Sequence, residues 1–275
     1  MRAATVVALL ALALPGAAAA GDRFVSVNGH RLHLVCLGSG TPTVLLEAGF
    51  SLDASSWSGV LTQASSTRTR VCAYDRLGRG RSAGSPGTRT IAQVADDLDA
   101  LIRAARLHPP VVLVGHSLGG LIARWEARSH PAAVSGLVLV ESTPDDLAHF
   151  LPQPTLTSLG ESIEVASAAA AMKRFDAARR RPLGSRPLVV IRAAAEGGAA
   201  PPSFQPWWNA RQRELAGYST NSTLAVAAIS DHFAQSEQPE LVAYAIHAVV
   251  TALRTKKPVA PCSSWPTARL YARCR

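Results

Sequence analysis

Short runs that are apolar at every position recur along the chain, at Val44 to Leu46, Val71 to Tyr74, Val111 to Val114, Leu137 to Val140, Leu188 to Ile191 and Leu224 to Ile229. A strand with one wet face alternates between apolar and polar residues. Uninterrupted apolar runs therefore predict strands of a parallel sheet covered on both faces. Between them lie segments with a helical period. In Thr90 to Leu107, the residues Ile91, Val94, Leu98, Leu101 and Ile102 recur at spacings of three and four, and Thr90 with Gln93 has the pattern of a capping box. Leu118 to Arg128 places Leu121, Ile122 and Trp125 similarly and stops ahead of Pro131, while Pro239 to Leu253 predicts a last helix. Near the start, Phe24 to Val27 and Leu32 to Leu37 flank Asn28-Gly29, a tight-hairpin dipeptide, which predicts an antiparallel pair.

Strands alternating with helices give an α/β fold with a doubly wound, mostly parallel sheet. The stretch of about 143–186 breaks the alternation. It holds Leu151-Pro152-Gln153-Pro154 and an alanine-rich segment from Ala166 to Ala171, and it is too long for a simple crossover. A small helical lid inserted into the fold is the expectation there. The chain's 275 residues fit one large domain, and 48% hydrophobic against 17% charged residues excludes a disordered chain.

The first residues change the picture of where this domain works. Met1-Arg2, the apolar run Ala3 to Leu14, and the small-residue tract Ala17 to Ala20 have the layout of a secretory signal peptide. The apolar part is shorter than the roughly 20 residues needed to span a bilayer. The expectation is a signal peptide over 1–20, a mature domain over 21–275 and a secreted or periplasmic protein with no membrane span after processing. Four cysteines in such a compartment suggest two disulfides. No Cys-x-x-Cys pair occurs and the histidines are scattered, so neither a metal nor another cofactor is expected. The net charge of +9 comes from basic residues spread through the chain without a nucleic-acid motif. Their densest group, Lys173, Arg174, Arg179, Arg180 and Arg181, is read as a solvated face. Asn221-Ser222-Thr223 is a glycosylation sequon, relevant only if the source glycosylates exported proteins. Oligomeric state is not legible.

The chemistry concentrates at Gly115-His116-Ser117-Leu118-Gly119, a Gly-x-Ser-x-Gly pattern between a predicted strand and a predicted helix. A serine hydroxyl is a poor nucleophile until a base takes its proton, and a sharp strand-to-helix turn exposes Ser117 to an imidazole. The same turn geometry points His116 away from the serine. With Tyr74-Asp75-Arg76-Leu77-Gly78-Arg79-Gly80-Arg81-Ser82 and Leu45-Leu46-Glu47-Ala48-Gly49-Phe50 followed by Trp57, the chain resembles the α/β-hydrolase superfamily, in its esterase-like and dehalogenase-like branch. The resemblance covers essentially everything after residue 20. It implies Ser117 as nucleophile and His232, between the last strand and the last helix, as general base. It also implies an oxyanion hole from the backbone N–H groups of Phe50 and Leu118. The family often carries His-Gly where this chain has Ala48-Gly49. The segment from Tyr74 to Ser82 is read as structural, and the strand order the family implies, with the second and fourth strands adjacent, suggests a disulfide Cys36–Cys72, while Cys262–Cys274 would close a short loop in the proline-containing tail.

Two acids compete for the third place. Glu141 directly follows the sixth strand of the family's count, and Glu196 follows the seventh. Glu141 is favoured because Glu196 sits between Ala193 to Ala195 and Gly197-Gly198, a setting poorly suited to holding an imidazole. The function implied is hydrolysis of a small-molecule carboxylic ester through an acyl-enzyme. Thioesterase, amidase, lactonase or perhydrolase chemistry at the same site, or a non-catalytic binding protein on this scaffold, are the alternatives.

Overall fold

The computed structural model describes residues 21–84, 87–146, 155–168, 171–172, 181–194 and 203–274. The leader segment 1–20, the alternative acid Glu196, Leu151 to Pro154 and the basic residues Lys173, Arg174, Arg179 and Arg180 lie outside them.

The chain opens with the hairpin β1 (Gly21–Val27) and β2 (His30–Leu37), turning at Asn28 and Gly29, both with positive φ. The strands β3 (Val44–Glu47), β4 (Val71–Tyr74), β6 (Val111–His116), β7 (Val134–Val140), β10 (Leu188–Ala193) and β11 (Ser222–Ala227) follow. With β12 (Ala272–Cys274) they form a sheet of order β1-β2-β4-β3-β6-β7-β10-β11-β12. The run from β4 through β11 is parallel, and the pairs β1–β2, β2–β4 and β11–β12 are antiparallel.

The unbroken apolar runs have a direct cause. Successive side chains leave a strand on opposite faces, and here both faces are covered. Val44, Leu46, Val112, Val114, Val138, Val140, Val189 and Ile191 pack beneath α1 (Ser58–Ala64) and α6 (Pro239–Thr255). Their neighbours Leu45, Leu113, Leu137, Leu139, Leu188 and Val190 pack beneath α2 (Ile91–Ala104) and α3 (Leu118–Ser129). Each fully buried side chain of this size contributes about 1.5–3 kcal/mol. The capping box is present: Thr90 Oγ1 accepts from Gln93 N and Gln93 Oε1 accepts from Thr90 N. Of two further helices, α4 (Phe204–Ala216) packs on β10 and β11, and the short α5 (Ala234–Glu237) lies against α1 and α6.

Where a helical lid was expected, the described part of the insertion carries a β-hairpin as well as helical residues. The hairpin β8 (Thr155–Ser158) and β9 (Glu161–Glu164) pairs through β9 with β5 (Thr88–Thr90) in a small sheet of order β5-β9-β8. Helical residues occur at 166–168 and 171–172. The local sequence permits the hairpin, with Thr155, Thr157 and Ile163 β-branched and Gly160 taking the positive φ of the turn, and the pairing of β9 with β5 fixes it. The alanine-rich signal that suggested helix begins only after this hairpin. The last parallel strand also ends earlier than its apolar run, at Ala227, leaving Ile229 exposed.

Both expected disulfides are present. Cys36 and Cys72 are register partners across β2 and β4, and Cys262–Cys274 fastens β12 to the preceding turn. Among the described residues no helix is long and apolar enough to cross a membrane.

Candidate active site

The parallel strands carry their C-terminal ends to one edge of the sheet, and the chemistry gathers there. At the end of β6 the chain reverses into α3 within one residue. Ser117 takes φ 50° and ψ −120°, a region that costs a non-glycine residue about 1–3 kcal/mol. The turn survives because its flanks are bare. A Cβ at Gly115 would lie 2.4 Å from the Gly119 carbonyl oxygen, and one at Gly119 would lie 2.2 Å from that of Glu47. The Ser117 N–H donates to Val140 O at 3.0 Å, and its carbonyl accepts from Gly120 N and Thr143 N.

The loop after β11 brings His232 over this turn, with His232 Nε2 3.0 Å from Ser117 Oγ. Its other nitrogen, Nδ1, is 3.2 Å from Glu141 Oε2. Glu141 follows β7 directly, has φ 46° and is buried. Its carboxylate accepts two more hydrogen bonds, from Ala193 N to Oε1 at 2.7 Å and from Trp208 Nε1 to Oε2 at 2.8 Å. Trp208, on α4, also stands edge-on to the His232 ring with centroids 5.7 Å apart. The structure thus brings Ser117, His232 and Glu141 together. Leu118 opens α3, and Phe50 lies in the loop after β3.

His116 is turned away from the serine hydroxyl and has a task of its own. Its Nε2–H donates to the His232 carbonyl oxygen at 2.8 Å, which leaves Nδ1 to accept from Gln235 Nε2 at 3.3 Å. Burial, with the nearby His232, pushes His116 down to about 3, so it stays neutral. Gln238 holds the same loop from the other side, accepting from Ile229 N and Ser230 Oγ and donating to the Leu270 and Tyr271 carbonyls of the tail. Sequence reasoning misses both Trp208 and these anchors. Nothing local marks a side chain whose partner is a distant carbonyl.

The segment from Tyr74 to Ser82 is tied into the fold by its side chains. Asp75 accepts from Ala54 N and Arg81 N and pairs with His33 Nδ1 at 2.8 Å. Away from this centre, Asp99, Glu126 and His130 are placed so that one atom of each could hold a metal ion. Its two residues on or capping α3, Glu126 and His130, lie about 14 and about 20 Å along the helix from Ser117, and Asp99 already pairs with Arg103.

A family model for the alpha/beta hydrolase fold matches residues 42–179, half of the chain. The chain belongs to the alpha/beta hydrolase fold family. As a member it is an enzyme of the hydrolase class. The uncharacterized protein YqjL of Bacillus subtilis is 28% identical over 221 residues, covering 77% of this chain and 85% of that protein. The pimeloyl-[acyl-carrier protein] methyl ester esterase of Sodalis glossinidius is 36% identical over 107 residues, 39% of each chain. A thermophilic esterase from Thermogutta terrifontis superposes with a TM-score of 0.61 at 22% identity, over 86% of this chain and 99% of that one.

Proposed function

We propose that this α/β hydrolase is an exported carboxylic ester hydrolase that works through a Ser117–His232–Glu141 triad. The observation that carries the reading is the chain of contacts from serine to imidazole to buried carboxylate, at 3.0 and 3.2 Å. In the reaction His232 Nε2 takes the Ser117 proton as Oγ attacks the ester carbonyl, and Glu141 stabilises the imidazolium that forms. The oxyanion is received by the N–H groups of Leu118, at the positive end of α3, and of Phe50. His232 then protonates the departing alcohol, and water, activated by the same imidazole, releases the acid. The named methyl ester esterase among the relatives supports an ester as substrate. Export is supported by the leader-like residues 1–20 and by two disulfides, which persist outside a reducing cytosol.

The test is direct. An alkyl fluorophosphonate is expected to modify Ser117 alone and abolish hydrolysis of p-nitrophenyl esters, and a panel of increasing acyl length will report the depth of the acyl site. A folded Ser117→Ala protein that keeps most of its esterase activity would refute the proposal.

A further inference from the structure

The segment from Tyr74 to Ser82 and the hairpin β8–β9 meet on a buried ion network that the catalytic proposal does not use. Arg76 is buried, and its guanidinium reaches four oxygens. Nε donates to Glu161 Oε1 at 2.7 Å and NH1 to Glu47 Oε1 at 2.7 Å. NH1 also donates to the Ala48 carbonyl at 2.5 Å, and NH2 to that of Gly49 at 2.7 Å. Glu161, on β9, uses its second oxygen to accept from Ser51 N at 2.9 Å. Arg79 donates to the Ser51 carbonyl and, at 2.7 Å, to the Leu159 carbonyl in the hairpin turn.

These contacts fix the two peptide units on either side of Phe50. The Gly49 carbonyl and the Phe50 N–H belong to one planar trans unit and point in opposite directions. When Arg76 grips the carbonyl, the Phe50 N–H is aimed away from the arginine. The next unit is fixed through its N–H, on Ser51, by Glu161. Both carboxylates pair with the one guanidinium. Burial alone would lower its pKa, but the charges of Glu161 and Glu47 raise it above the usual value.

We propose that Glu161 is a positioning residue supplied by the insertion: with Arg76 it holds the loop that aims the Phe50 N–H, so the oxyanion hole is complete only when the hairpin is docked. This rests on Phe50 serving the oxyanion, as argued under the proposed function.

Glu161→Gln tests it. Both partners of the carboxylate are donors, and an amide has one acceptor oxygen, so its NH2 group must face either Arg76 Nε–H or the Ser51 N–H. Losing one oxyanion-hole donor lowers kcat by about 100- to 1,000-fold elsewhere. A misaimed donor should lower it by about 10- to 100-fold, counted per active site titrated with fluorophosphonate. KM for a short p-nitrophenyl ester should change by less than about twofold, because the ground-state carbonyl gains little from the hole. Affinity for a trifluoromethyl ketone, which places an oxyanion there, should fall by the same factor as kcat. Gly160→Ala is the second variant. Gly160 has φ 79°, and a Cβ there would lie 2.3 Å from the Gly78 carbonyl oxygen, so the substitution lifts the hairpin without altering Glu161. It should reproduce the same split. Wild-type kcat and ketone affinity in either folded variant, beside a wild type whose activity depends on Ser117, overturns this inference alone. A wild type that hydrolyses no ester and is not labelled at Ser117 overturns the catalytic proposal and this one with it.

Discussion

Replacing Glu141 by glutamine changes one atom and is expected to stop turnover. The carboxylate accepts from three donors: Ala193 N at 2.7 Å, Trp208 Nε1 at 2.8 Å and His232 Nδ1 at 3.2 Å. An amide oxygen at the Oε2 position keeps the bonds from Trp208 and His232 but sets NH2 against the Ala193 N–H. That leaves two buried donors facing each other, at a cost of about 1–3 kcal/mol in stability. The other orientation keeps Ala193 and sets NH2 toward His232 Nδ1, which then favours the tautomer with its proton on Nε2. Such an imidazole cannot accept the Ser117 proton. The equivalent amide substitution in serine proteases lowers kcat by about 10⁴. With each decade worth about 1.4 kcal/mol, a loss of 10³ to 10⁴ corresponds to about 4–5.5 kcal/mol of transition-state stabilisation.

The assay is p-nitrophenyl ester hydrolysis by protein whose melting temperature and far-ultraviolet dichroism show it folded. Trp208→Phe provides the graded companion. It removes one of the three donors and keeps the carboxylate, so kcat should fall by about 2- to 10-fold, on the scale of one hydrogen bond. A folded Glu141→Gln protein within tenfold of wild-type kcat would show that Glu141 is not the acid, and Glu196 would become the residue to test.

Three further outcomes are expected. His116→Phe removes the donor to the His232 carbonyl and should lower kcat about 5- to 10-fold with little change in KM; an unchanged kcat would free His116 of any positioning part. Burial raises Glu126 to about 7, against the pull of His130. A folded pKa above the unfolded one stabilises fully below about pH 4.5 and loses that contribution as pH rises through 7, so up to about 3 kcal/mol should vanish over this window. Glu126→Gln should flatten that slope in urea melts, and an unaltered slope would assign it elsewhere. Cys262→Ser with Cys274→Ser opens a loop whose ends are 12 residues apart, removing about 3 kcal/mol of chain-entropy stabilisation. Non-reducing calorimetry should show the melting temperature lowered by about 6–12 °C, and no shift would mean that β12 holds without the bridge.

What is legible in the sequence is what is local in the chain. The strands around Val44, Val71, Val111 and Leu188, the helices α2, α3 and α6 and the capping box at Thr90 all arise from residues within a few positions of one another. So does the turn at Ser117, where strand, motif and helix are contiguous. The hairpin β8–β9 escapes because its strands are four residues each, and its pairing with β5 is set by tertiary contact. The supports of the site are hidden for the same reason. Arg76 and Glu161 are 85 residues apart, Trp208 and Glu141 are 67 apart, and His116 and His232 are 116 apart.

The loop after β3 depends on distant partners of this kind. Its departure from the family's frequent His-Gly, to Ala48-Gly49, looks from sequence like a threat to the Phe50 N–H. Yet the loop does not shape itself. Its carbonyls are held by Arg76 and Arg79 from the turn after β4, and its Ser51 N–H by Glu161 from the insertion. With Arg76 paired to both Glu47 and Glu161, the guanidinium that grips the loop is not left as an unpaired buried cation, the condition under which such networks are tolerated. The conformation is therefore set by residues whose identity matters more than that of Ala48. Substitutions at Arg76 or Glu161 should disturb the loop more than a change at Ala48 that fits its buried space.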